Sequence, residues 1–177
     1  PPWPDVVQLN AFNPGLRAAT IATLIAIADQ CDTICCDMVM LLTTAAFAGT
    51  WGERAGAPPE EEFWREVLPA VRAARPDVRF IAEVYWDMEW EMQQQGFDYC
   101  YDKRLYNRLV HETTEAVRGH LIADLPYQER LVRFIETHDD PRAAAVFPGN
   151  RALAAAIVAY TLPGAKLFHQ GQFEGLT

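Results

Sequence analysis

Apolar, strand-like runs alternate with helical segments along the whole chain, and this alternation restricts the fold more than any other feature. Five runs carry the β-branched and aromatic residues of strands. They are TICCD at 33–37, VRFIAEVYW at 78–86, FDYCY at 97–101, a segment around 131–137 within RLVRFIETHDD, and AKLFHQG near 167. Helical patterns separate them. Asn13-Pro14 reads as the N-cap and first residue of a helix over 14–30. EEEFWREVLPAVRAARP has an acidic first turn and an Arg-bearing last turn, as a helix dipole favours, with Pro69 placed to bend or break it. DMEWEMQQQ reads as a short helix stopped by Gly96, 102–118 as one helix, and GNRALAAAIVAYTLPG as a helix stopped by Pro163-Gly164. Residues 41–58, rich in Thr, Ala and Gly and ending in Pro58-Pro59, read as a long loop. Strict alternation of this kind predicts an α/β fold in which parallel strands are covered by helices.

Composition sets the partners. The 177 residues are half apolar, enough for one domain with a real core. The net charge is −9 and there is no Lys/Arg run, which argues against nucleic acid and anionic membrane surfaces as partners. No apolar stretch reaches bilayer-spanning length. Cys31, Cys35, Cys36 and Cys100 have no paired CxxC spacing, and His111, His120, His138 and His169 show no zinc-ligand spacing. The thiols are therefore expected to be buried and free, which favours a reducing, cytoplasmic setting. Neither PPWPDVVQLN at the start nor GQFEGLT at the end reads as a natural terminus, so the chain is expected to be a piece of a longer protein.

Three acids sit where such strands end. Asp37 follows TICC, Glu83 follows FIA, and Asp139 lies a few residues beyond RFI. In a parallel array all carboxyl ends of strands share one side, where barrel active sites lie. One acid at a strand end is ordinarily a helix cap or a solvated charge. Three on one rim form a cluster in which repulsion raises one carboxyl's pKa. One acid can then give a proton while another stays ionised, which is what cleavage of a glycosidic bond requires.

CDTICCDMVM, FIAEVYWDMEWEMQQQGFDYCYDKRLYNRL and FIETHDDPRAAAVFPGNRALAAAIVAYTLPGAKLFHQGQFEG resemble three signature regions of the α-amylase superfamily of glycoside hydrolases. The resemblance runs along nearly the whole chain in the family's order. It implies a (β/α)₈ catalytic barrel acting on α-glucosidic bonds with retention, here partial: 1–177 would be a single TIM-type domain of about five parallel strands with flanking helices. By this matching Asp37 ends strand four as the nucleophile, Glu83 ends strand five as the general acid/base, and Asp139 follows strand seven as the transition-state stabiliser. His138, Tyr85 and Trp86 would contact the sugar. A retaining pair of carboxyls is expected about 5–5.5 Å apart. An α-glucan or α-glucoside is the implied substrate. No cofactor is implied, because the family's calcium ligands belong to segments before strand four, which have no counterpart here.

The matching also shows departures. Cys35 stands where the family carries the arginine that holds the nucleophile ionised, and this predicts a large loss of rate. Thr33, Thr137 and Asp140 replace the family's Gly, Asn and Glu. Five strands would leave two open edges able to pair with another chain. A non-catalytic carbohydrate-binding or interaction homologue is the second reading, with Cys35 as its support. A metal or redox site at Cys31, Cys35 and Cys36 is the third. Trp51, Trp86 and Trp90 lie near the predicted mouth, with Trp86 equally suited to a sugar platform or to the core. Trp64 is expected in the core, Trp3 in a loop anchor, Glu89 and Glu91 on a solvated helix face, and His169 in the core. Gln170 and Gln172 are placed to reach the sugar rim.

Overall fold

The computed structural model describes residues 6–177, so Trp3 lies outside the described residues. Asn13 accepts from the Gly15 and Leu16 amides at 2.7 and 3.2 Å, and this cap starts α1 (Pro14–Ala28). Chain order then gives β1 (Thr33–Cys36), α2 (Thr44–Trp51), α3 (Phe63–Ala74), β2 (Arg79–Ala82), α4 (Glu89–Gln95) and β3 (Tyr99–Tyr101). After β3 come α5 (Lys103–His111), α6 (Thr114–His120), α7 (Leu125–Gln128), β4 (Leu131–Arg133), α8 (Ala143–Val146), α9 (Asn150–Thr161) and β5 (Ala165–Lys166). The strands form one parallel sheet in sequence order, β1 to β5. The α/β alternation and the five strands are as the sequence predicts.

Three expectations need correction. The segment 41–58 is not a loop: 3₁₀ turns at Val39–Leu42 and Gly52–Ala55 flank α2. The Thr43 hydroxyl accepts from the Ala46 amide at 3.4 Å, so threonine here starts a helix rather than preventing one. The stretch 102–118 is two helices, because Glu112 is extended (φ −108°, ψ −179°) and Thr113 caps α6 by accepting from Ala116 at 3.3 Å. Pro69 does not interrupt α3. It lies on the exposed face, where the carbonyl it leaves without an N–H partner is free to meet water.

Strand pairing assigns the two faces of the sheet. Ile34, Cys36, Phe80, Ala82, Cys100 and Leu131 pack with Leu24 of α1, Val67, Leu68 and Val71 of α3, and Met92 of α4. Alternate strand residues point the other way, and there Ile81, Tyr99, Tyr101, Val132 and Phe134 form a second cluster with Tyr106. Cys36 is buried on the helix side, as expected. Cys35, one residue earlier, is exposed on the opposite side, and Cys31 is exposed too, so the prediction of buried thiols holds only for Cys36 and Cys100. Among the described residues no group of three or more His, Cys, Asp and Glu side chains is placed to hold a metal ion.

Candidate active site

Register places Asp37 and Glu83 beside each other. Cys36 pairs with Ala82, so each acid is the first residue past its strand on the same edge of the sheet. The junction is tight: the Glu83 amide donates to the Cys36 carbonyl at 2.9 Å, and the Val39 amide donates to the Glu83 carbonyl at 3.1 Å. Between them Met38 adopts a left-handed backbone (φ 46°), uncommon for a residue with a side chain and often found where function holds strain. This turn aims the Met38 amide at Glu83 Oε2, 3.2 Å away. The Tyr85 hydroxyl donates to the other oxygen, Oε1, at 2.6 Å.

Glu83 is buried, and the Asp37 side chain lies close enough to act on its carboxyl. Burial is the main reason its pKa is raised. The contact with Asp37 and that residue's charge add to the rise, against the lowering effect of the Tyr85 and Met38 donors. Asp37 itself is exposed at the mouth. The pair therefore differs in environment: a sheltered carboxyl whose pKa is raised, beside one open to solvent.

Asp139 does not touch this pair. It lies in the loop after β4, with its side chain 3.1 Å from His138 Nε2 and its amide donating to Thr137 Oγ1 at 3.3 Å. Burial is the main cause of the raised pKa of the Tyr85 and Tyr101 hydroxyls, and the Asp139 charge adds to both. His138 is exposed toward solvent. Trp86 is 62% exposed with φ 65°, so it is not a core residue. It lines a pocket of about 270 Å³ with Tyr85, Asp87, Glu89, Lys103, Arg104 and Asn107. Trp90 is exposed as well, whereas Trp64 is in the core and donates to the Val39 carbonyl at 2.8 Å.

The Cys35 thiol lies 3.9 Å from the Tyr101 hydroxyl, with Asp37 and Glu83 near enough for their charges to act on it. Burial of the thiol group raises its pKa first, and the two carboxylates raise it further, against the Tyr101 hydrogen bond. A neutral thiol thus occupies this corner of the site.

Several groups near the mouth escaped sequence reasoning. Lys103 pairs with Asp140, and Asp102 pairs with Arg133 inside the molecule. The signal was present, since Asp102-Lys103 follows YCY just as Asp37 follows TICC. Glu136 is buried, accepting from Arg142 Nη1 at 2.9 Å and from the Ala143 amide at 2.5 Å. Glu89 is 3% exposed, not on a solvated face, although Glu91 is solvated as expected. His169 is half-buried, with Nδ1 3.0 Å from Arg142 Nη1. Gln172 donates to the Tyr160 hydroxyl at 2.8 Å.

No protein-family model and no curated protein sequence matches the chain. Solved structures do. The cyclic α-maltosyl-(1→6)-maltose hydrolase of Arthrobacter globiformis, in complex with maltose, superposes with a TM-score of 0.72 at 20% identity, over 95% of this chain and 38% of that one. An α-amylase from Lactobacillus plantarum gives 0.68 at 22% identity, over 96% and 42%. The type III pullulan hydrolase of Thermococcus kodakarensis gives 0.65 at 20% identity, over 93% and 30%. This chain spans about two-fifths or less of each. At these identities the similarity establishes the fold: the chain has the architecture of part of an α-amylase-type barrel. Among the described residues no helix is long and apolar enough to cross a membrane.

Proposed function

We propose that the chain belongs to the retaining α-glycoside hydrolases and transglycosylases, and that its strand-end acids form the site that breaks and remakes an α-glucosidic bond. The observation that carries this reading is the register that sets exposed Asp37 beside buried Glu83, each the first residue past its strand at the same edge of a parallel sheet. Asp37 attacks the anomeric carbon while Glu83 gives its proton to the departing oxygen, leaving a glycosyl ester on Asp37. Glu83, now ionised, takes a proton from water or a sugar hydroxyl, whose oxygen displaces Asp37 and restores both groups. The Tyr85 and Met38 donors stabilise the ionised Glu83 between the two steps. Asp139 and His138 would hold sugar hydroxyls as the ring flattens, binding the transition state more tightly than the substrate. Exposed Trp86 offers a ring face to the sugar on the leaving side.

The test is to trap the ester with an activated fluorinated α-glucosyl donor. The expected result is a mass increase on the Asp37 peptide, absent in Asp37→Asn. A folded protein that gives no adduct, either as it stands or as Cys35→Arg, would overturn the reading.

Cys35 favours a second reading, in which the site binds an α-glucan without turnover. A neutral thiol bonded toward Tyr101 supplies no cation to hold Asp37 ionised. Calorimetric binding of maltooligosaccharides, unchanged in Asp37→Asn and with no product formed, would decide for it.

A further inference from the structure

Lys103 opens α5 immediately after β3. Its ammonium pairs with Asp140 Oδ1, and Asp140 Oδ2 accepts from Thr137 Oγ1 at 2.8 Å. The same Nζ lies 4.4 Å from the centre of the Tyr106 ring and 5.8 Å from that of Tyr85, both within cation–π range. Tyr85 in turn holds Glu83 through the 2.6 Å hydrogen bond. One cation is thus gripped between the loop after β4 and the tyrosine that holds the sheltered carboxyl. The side chains of Lys103 and Asp140 are 19% and 9% exposed, so the pair is largely out of water and losing one partner leaves the other poorly solvated.

We propose that Lys103 is a positioning residue of the carboxylate site: it fixes the His138–Asp140 loop and the Tyr85 ring against each other and thereby aims the Tyr85 hydroxyl at Glu83. Lys103 acts through Tyr85. The groups that bear on Glu83 are Asp37 and the Met38 amide beyond β1 and Tyr85 beyond β2, with the Cys35 thiol and the Tyr101 hydroxyl near by. Asp139 and Asp140 bear on Tyr85 from the loop after β4. The inference rests on the site proposed above but not on turnover.

The test follows the Glu83 carboxyl by ¹³C NMR against pH in the 177-residue chain. Four proteins are compared: the parent, Lys103→Met, Lys103→Arg and the double variant Lys103→Met/Asp140→Asn. Tyr85 stabilises ionised Glu83, so a released tyrosine moves the Glu83 midpoint upward in Lys103→Met, while Lys103→Arg, which can still pair and stack, titrates as the parent. The double variant no longer strands a carboxylate; it regains folding stability yet keeps the raised midpoint. A folded double variant that titrates as the parent would overturn the proposal and reduce Lys103 to a counter-ion for Asp140. A raised midpoint in a protein that forms no glycosyl adduct leaves the proposal standing and counts against the glycosidase reading alone.

Discussion

The Tyr85 hydroxyl lies 2.6 Å from Glu83 Oε1, on a residue two places further along the same chain segment. The alternation of a strand would put both side chains on one face, and the hydrogen bond is how that proximity is used. Tyr85→Phe removes a donor that favours the ionised carboxylate. The Glu83 midpoint is expected to rise, and the basic arm of the proton-donor titration to rise with it. The lost hydrogen bond makes ionised Glu83 a stronger base, so the base-assisted second step slows only at pH values below the raised midpoint, where fewer Glu83 carboxyls are ionised. Carboxyl NMR against pH checks the first expectation, and the decay of the trapped glycosyl ester checks the second.

Asp37→Asn acts on the same carboxyl in the opposite direction. Burial stays, but the neighbouring charge goes and an amide able to donate takes its place. The Glu83 midpoint is expected to fall. The stability sign follows: a carboxyl whose folded pKa is raised costs stability as pH climbs from its unfolded value through its folded one. Asp37→Asn therefore loses less stability than the parent as pH climbs above 4.5. Urea unfolding at a series of pH values reads this directly.

The convergence of Asp37 and Glu83 was legible in the sequence, because parallel alternation brings all strand ends to one side and apolar runs mark those ends. The Asn13-Pro14 start was legible for a similar reason, being local. Long-range partners were not. Arg133 within RLVRF reads as a solvated charge, and it is buried only because Asp102 and His120, 31 and 13 residues away, fold against it. Glu89 reads with Glu91 as part of a solvated helix face, and nothing local shows that its position is covered. The α2 helix was hidden by threonines and glycines that cap and end it rather than dissolve it.

Asp102 accepts from the Leu105 amide at 3.0 Å and His120 Nε2 at 3.0 Å and pairs with Arg133, in a setting with no exposure of either charged side chain. Asp102→Ala strands the guanidinium and uncaps α5, and a loss of about 3–5 kcal/mol is expected. Asp102→Leu/Arg133→Met, which removes both charges, should recover much of that loss. Urea midpoints of the single and double variants separate a stranded charge from lost packing.

Glu89 has its pKa raised to about 7, mainly by burial and further by Asp102 and Asp87, with Arg104 opposing. Its ionised form therefore burdens the fold above pH 7 and not below the ordinary value of 4.5. A rise of that size is worth about 3 kcal/mol at full effect. Glu89→Gln should be more stable than the parent at pH 8 and no more stable at pH 4. Equal differences at both pH values would show that the Glu89 carboxyl has the same pKa folded as unfolded.

Cys35→Arg brings a cation to a corner that already holds two carboxyls and no counter-charge. The Cys35 thiol lies 3.9 Å from the Tyr101 hydroxyl, on the same side of the sheet as Tyr101. The introduced guanidinium would meet Asp37 and Glu83, whose charges already act on the thiol there. Both carboxyls then favour ionisation, and the Glu83 midpoint is expected to fall. A cation beside Asp37 stabilises the carboxylate that acts as nucleophile. Adduct formation on Asp37 should rise by about tenfold or more if the cation gains as little as 1.4 kcal/mol for the charged state. If the midpoint falls and adduct formation does not rise, the missing cation is not what limits the chemistry.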